Sequence, residues 1–187
     1  MPPVSELLRV AAAALAGAAE ALQVAIDGAL PLLQDRRHLV LTGIGKSGLI
    51  ARKAAGTFAS LGQPAIFLHP VEAQHGDLGV LAPGDGVLAL SWSGESAELL
   101  PLLRYAGLLG LPRLAITAGR TSPLAQHTDA LLLPPVAEAA PFGAPVVRSL
   151  LLLAAVDALA VALSQTRGFG REAFSRRHPA GALGQSS

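Results

Sequence analysis

The chain predicts a three-layer α/β sandwich, a five-stranded parallel sheet with helices on both faces. Short apolar runs alternate with longer helical patterns, as parallel strands joined by helical crossovers require. Glycine- and serine-rich segments follow two of the runs, at Gly43–Gly48 and Ser91–Ser96. In such sheets ligands sit beyond the carboxyl ends of the strands. A length of 187 residues fits one domain of ordinary size. That domain spans 1–187, with a core over about 35–165, an N-terminal helical segment at 5–30 and a C-terminal tail at 166–184. No internal repeat, linker or second domain is visible.

Each element follows from its own residues. Residues 5–30 are rich in Ala and Leu and form a long helix or helix pair, which Pro31 bends or ends. His38-Leu-Val-Leu-Thr42 is the first strand, and a helix at 47–61 runs to Gly62. Pro64-Ala-Ile-Phe-Leu68 is the second strand, followed by a polar segment from His69 to Gly79. Gly86 to Leu90 is the third, followed by a helix from Ala97 to Leu109. Arg113-Leu-Ala-Ile-Thr117 is the fourth. Ser122 caps a short helix to His127, with Pro123 at its first position. Ala130-Leu-Leu-Leu133 is the fifth strand, closed by Pro134-Pro135, and residues 146–165 form the last long helix.

Composition narrows the function classes. Hydrophobic residues make up 51% and charged residues 14%, enough for a large core but sparse for a solvated monomer surface, which points to burial against other copies. The net charge of +1 is spread without a basic run, and there is one Trp and one Tyr. Nucleic acid is therefore not an expected partner. The absence of cysteine excludes a disulfide scaffold, a thiol nucleophile and thiolate zinc, and fits the cytoplasm. The alanine-rich N-terminus carries Glu6, Arg9 and Glu20 and lacks a basic leader. The apolar run Leu150–Leu163 contains Asp157 and is too short to span a bilayer, so no membrane partner is expected.

Ser91-Trp-Ser-Gly-Glu-Ser96 places hydroxyls, a glycine and a carboxylate where a strand hands over to a helix. Free backbone N–H groups, a favourable dipole end and short hydroxyls make an anion cradle there. Ser96 also suits a plain helix cap. Glu98 follows in the first turn, where it serves either the helix dipole or a ligand as base, and Glu95 competes for the second role. Gly43-Ile-Gly-Lys-Ser-Gly48 has Val40 where a Walker loop needs its first glycine, so it is too short for a triphosphate. Its spacing matches G-x-G-x-x-G, yet the next strand ends in His69 and lacks the acid that a dinucleotide ribose needs. No cofactor is expected. Lys46 suits direct work on an anion, against the plainer possibility of a tight turn with an exposed lysine. His69-Pro-Val-Glu-Ala-Gln-His-Gly-Asp77 groups histidines and acids, but the spacing fits no metal motif. It reads as a polar site wall, in which His75 bonds the ligand or orients a carboxylate, and no metal is expected.

These motifs, with Glu138-Ala-x-Pro and His178-Pro-x-Gly-Ala-Leu-Gly184, resemble the D-arabinose 5-phosphate isomerases of the sugar isomerase (SIS) domain superfamily. The resemblance runs over about 5–184 and implies a flavodoxin-like, Rossmann-like SIS fold, in the short form without CBS modules. It implies interconversion of D-ribulose 5-phosphate and D-arabinose 5-phosphate through a cis-enediol, supplying lipopolysaccharide synthesis. It implies catalytic roles for Lys46, Glu98, Glu138 and His178, and substrate contacts from Gly45, Ser47, His75, Ser91, Ser93 and Ser96. It also implies a homo-tetramer with active sites between subunits, His178 reaching a neighbouring one. Where the family carries Pro-Thr-Ser-Ser-Thr, this chain has Pro145-Val-Val-Arg-Ser149. Arg148 either replaces the lost hydroxyls as a phosphate clamp or points elsewhere. A non-catalytic sugar-phosphate sensor and an isomerase for another sugar phosphate are the alternatives.

Overall fold

The computed structural model describes residues 3–135 and 145–179. Helix α1 spans Val4–Leu33 and buries Ala11, Ala18, Leu22, Ile26, Ala29 and Leu33, a single stripe at helical spacing. Pro31 does not end it. The proline falls in the last turn, where its missing N–H forfeits one bond. The helix runs on to bury Leu33, and the Gln34 N–H donates to the Leu30 carbonyl at 2.9 Å.

The sheet comprises β1 (Leu39–Gly43), β2 (Ala65–Phe67), β3 (Gly86–Leu90), β4 (Arg113–Ile116) and β5 (Ala130–Leu132). All pairings are parallel and the order is β2-β1-β3-β4-β5. Every residue of β1 and β3 is buried, as central strands covered on both faces must be. Alternate side chains feed two cores. Leu39, Leu41, Leu88, Leu90, Leu114 and Ile116 pack under α1, α2 (Gly45–Ser60) and α6 (Val146–Thr166). Val40, Val87, Ala89 and Ala115 face α4 (Leu100–Leu108) with Leu99, Leu102 and Leu103. These are the three expected layers.

The connections differ from expectation in detail. The segment 69–79 holds α3 (Pro70–Ala73) and a 3-10 turn, Asp77–Val80. The helix read as Ala97–Leu109 opens as a 3-10 turn, Ala97–Leu99, before α4. Pro101 sits in the first turn of α4 and supplies no N–H, so regular bonding cannot start earlier. Helix α5 (Pro123–Gln126) has the expected cap, with Ser122 Oγ accepting from the Ala125 N–H.

The apolar run at 150–163 belongs to a longer helix than its own span suggested. Both α1 and α6 are long and apolar enough to cross a membrane by length and composition. Helix α6 nevertheless turns Leu151, Leu152, Ala155, Val156, Leu159 and Leu163 into the core it shares with α1 and α2, as a core helix does. Beyond it, Arg167 donates to the carbonyls of Gln34 and Arg36 at 2.9 and 3.0 Å. The Phe169 ring fills the space beside Gly62, where a Cβ would lie 2.5 Å from it. Phe169 thus anchors the tail. Phe174 does not enter the core; in α7 (Arg171–Arg177) it stacks on His178, 4.1 Å between ring centres.

Candidate active site

Strand β1 connects outward to β2, and β3 connects the other way to β4. Their carboxyl ends therefore part at a topological switch point, where doubly wound sheets bind ligands. A cavity of about 340 Å³ lies there. The β1–α2 loop contributes Ile44, Lys46 and Ser47, and the β3 loop contributes Ser91, Trp92, Ser93 and Ser96. The start of α6 closes it with Pro145, Arg148, Ser149 and Leu152.

The first wall is shaped by glycine. A Cβ on Gly48 would stand 2.6 Å from the Gly43 carbonyl oxygen, and one on Gly43 would meet the Leu90 oxygen at 3.0 Å. Two glycines thus let the first turn of α2 lie directly on the ends of β1 and β3. Gly45 starts that turn at φ 56°, a conformation that favours glycine. The spacing that suggested a dinucleotide loop is here a packing device that projects Lys46 and Ser47 into the cavity. Gly45 itself lines the neighbouring hollow with Arg52, Phe67 and His69.

The serine loop is bonded from behind. Ser91 is buried; its Oγ accepts from the Gly94 N–H at 3.2 Å and pairs with Ser96 Oγ at 3.0 Å. Ser96 therefore closes the loop across its mouth and makes no side-chain cap to the turn that follows. The Trp92 carbonyl accepts from the Ala118 N–H at 2.8 Å and from Thr117 Oγ1 at 3.2 Å. The Gly94 carbonyl accepts from the Leu124 N–H at 3.1 Å. Ser93 is exposed, and its Oγ accepts from the Glu95 N–H at 3.3 Å, leaving its proton for a ligand.

The described lining holds two cations, Lys46 and Arg148, several serine hydroxyls and no carboxylate. Such a surface stabilises an anion. Arg148 Nε is buried with no acceptor among the described residues, and its guanidinium lies 6.0 Å from the Trp92 ring centre.

Of the residues singled out in the sequence, Lys46, Ser47, Ser91, Ser93, Ser96 and Arg148 meet in this cavity. Glu98 stands exposed on the 3-10 turn just after the serine loop, and His75 is exposed after α3; neither lines it. His69 accepts from the Val71 N–H and caps α3. Glu138 lies outside the described residues. His178 sits at the opposite pole. Its neighbour Arg177 lies over Phe169, 4.7 Å from the ring centre, and Phe169 packs on Gly62 beyond the last turn of α2. The cavity is at the first turn of that helix, whose 16 residues run for about 24 Å. His178 Nδ1 donates to the Phe174 carbonyl at 2.8 Å, which commits that nitrogen to its own turn. Sequence reasoning missed Ser149, which lines the cavity beside Arg148. Its position in the first turn of a helix at the carboxyl end of the sheet was the available signal.

A five-stranded parallel sheet with a cation- and hydroxyl-lined cavity at its switch point defines a doubly wound α/β protein with a candidate anion site. The SIS domain family matches residues 32–162, and the chain belongs to that family. It is 48% identical over 149 residues to the arabinose 5-phosphate isomerase KdsD of Escherichia coli K12, covering 79% of this chain and 45% of that protein. The chain spans about half the length of the curated relatives it matches. Among solved structures, an E. coli CFT073 protein in complex with arabinose 5-phosphate superposes with a TM-score of 0.79 at 35% identity, covering 96% of this chain and all of that one. A Bacteroides fragilis protein described as a phosphosugar isomerase involved in capsule formation gives 0.84 at 36%, covering 94% and 95%.

Proposed function

We propose that this chain is an aldose–ketose isomerase that interconverts D-ribulose 5-phosphate and D-arabinose 5-phosphate. One observation carries the reading. The cation- and hydroxyl-lined cavity at the switch point belongs to a chain 48% identical over 149 residues to an arabinose 5-phosphate isomerase.

The reaction moves a proton between C1 and C2 through a cis-enediol. A carboxylate, Glu98 or Glu138, abstracts and returns the carbon-bound proton. Lys46 stabilises the developing enediolate. His178 and His75 move protons between the sugar oxygens or help open the furanose ring. Ser47, Ser91, Ser93 and Ser96 hold the sugar phosphate and fix its orientation.

The proposal includes a cytoplasmic homo-tetramer with sites between subunits, feeding lipopolysaccharide synthesis. Two observations support shared sites. His178 lies at the far pole from its own cavity. Apolar side chains on α1 face outward, with Val4 75% exposed and Leu8 64%.

The test is deuterium incorporation in heavy water at C1 of ribulose 5-phosphate and at C2 of the arabinose 5-phosphate formed from it. Exchange and product are expected. Tight sugar-phosphate binding without exchange would sink the reading, and a panel of other ketose phosphates addresses substrate choice. A second reading, a sugar-phosphate sensor, draws on the absence of a carboxylate from the described lining. Binding without exchange across the whole panel is its signature.

A further inference from the structure

The first turn of α6 holds the least satisfied polar group of the cavity. Arg148 Nε is buried and finds no acceptor among the described residues. A buried donor left unpaired is costly, and a guanidinium is adapted to give parallel N–H bonds to one oxyanion. The side chain does not lie free. Trp92 from the serine loop faces it, at the outer limit of a cation–π contact. The Trp92 backbone is itself fixed by Ala118 and Thr117. The described residues at the start of α6 give no side-chain cap, so first-turn N–H groups and the positive dipole end lie on the same wall.

Lys46 differs from Arg148 in every one of these respects. It is exposed on the opposite wall and carries a compact charge on a flexible stem. The two cations therefore divide the ligand, with the fixed fork on the permanent dianion and the mobile ammonium on charge that develops during reaction.

We infer that Arg148, whose guanidinium lies over the Trp92 ring, is the phosphate-binding cation of this site, and that Trp92 is the positioning residue that presents it. The inference deepens the isomerase reading and rests on it for the sugar. It requires only that the ligand carry a terminal phosphate. Affinity then follows the phosphate dianion and falls as pH drops through the second phosphate pKa, about 6.

Trp92 is the only tryptophan of the chain, so its emission reports the event. The experiment titrates the full chain with inorganic phosphate, arabinose 5-phosphate and arabinose, following emission and binding heat. Emission should change and saturate with both phosphates and not with arabinose. Arg148→Met should weaken both by about 10- to 100-fold at an unfolding temperature no lower than that of the wild type. Arg148→Lys, which keeps charge and fold, should recover only part. Wild-type affinity for inorganic phosphate in both variants overturns the inference.

Trp92→Ala should raise KM with kcat largely kept, and Trp92→Phe should restore KM. An unchanged KM in Trp92→Ala overturns the role of the indole. The two readings fail separately. Isomerisation with wild-type KM in Arg148→Met removes the clamp and leaves the isomerase. Phosphate binding that is lost in Arg148→Met, with no proton exchange in the wild type, keeps the clamp and removes the isomerase.

Discussion

Gly94 stands at the back of the serine loop with φ 74°. A Cβ there would fall 2.0 Å from Ser122 Oγ and 3.1 Å from Thr117 Oγ1. Gly94→Ala therefore adds a strained backbone to a steric clash, and a loss of about 1–3 kcal/mol is expected in urea unfolding. An unshifted midpoint would show that the loop does not depend on this packing. Two serines of the same loop should behave differently. Ser91→Ala strips the Gly94 N–H of its buried acceptor, for about 1–3 kcal/mol. Ser93 is exposed, so Ser93→Ala should stay within about 0.5 kcal/mol while weakening sugar-phosphate binding. Equal stability losses in the two variants would refute this division. The density of hydroxyls was legible in the sequence. Their division of labour was not, because β4 and α5 fix the loop that carries them: the Ser91 N–H donates to the Ile116 carbonyl and the Leu124 N–H to the Gly94 carbonyl.

At the scale of elements, Arg113, the first residue of β4, is tied to Asp129, the residue just before β5. Arg113 Nη2 donates to Oδ1 at 2.7 Å, and Nε and the backbone N–H donate to Oδ2 at 3.1 and 2.8 Å. The Asp129 N–H returns a bond to the Arg113 carbonyl at 2.8 Å. Burial pushes the Asp129 carboxyl up, but the side-chain and backbone hydrogen bonds from Arg113 outweigh it and hold the group below its ordinary value. The same hydrogen bond raises Arg113. A carboxylate held low in the folded state stabilises above its unfolded value of about 3.9, and the gain fades as pH falls through the folded value. Asp129→Asn should therefore lower the unfolding temperature at pH 7, and the gap to the wild type should close below about pH 4. A gap that stays constant with pH would assign the effect to geometry alone. Strand positions were legible because apolar runs and proline punctuation are local signals. Helix starts were less so: Pro101 delays α4 and Pro31 fails to stop α1, and the outcome turns on packing one turn away.

For the whole molecule, the layers and the parallel sheet followed from alternation, and the site followed from glycine and serine loops at strand ends. What no local pattern contains is distance across the fold. Lys46 and His178 belong to one proposed reaction, yet they sit at opposite poles, because α2 and α6 both run the length of the sheet away from the cavity. If both act, they act in different copies. This makes a prediction about mixtures. Lys46→Ala and His178→Ala, each alone, should lose at least about 100-fold in turnover if each moves or stabilises charge in the transition state. Co-refolded in equal amounts, they form some sites that draw an intact lysine from one chain and an intact histidine from the other. With random pairing across a symmetric interface, about a quarter of sites are complete, so about a quarter of wild-type activity should return. Mixing without refolding should recover less, to the extent that subunits do not exchange. If the co-refolded mixture recovers nothing while both variants fold and associate, sites are not shared through His178, and the tail serves assembly instead of proton transfer.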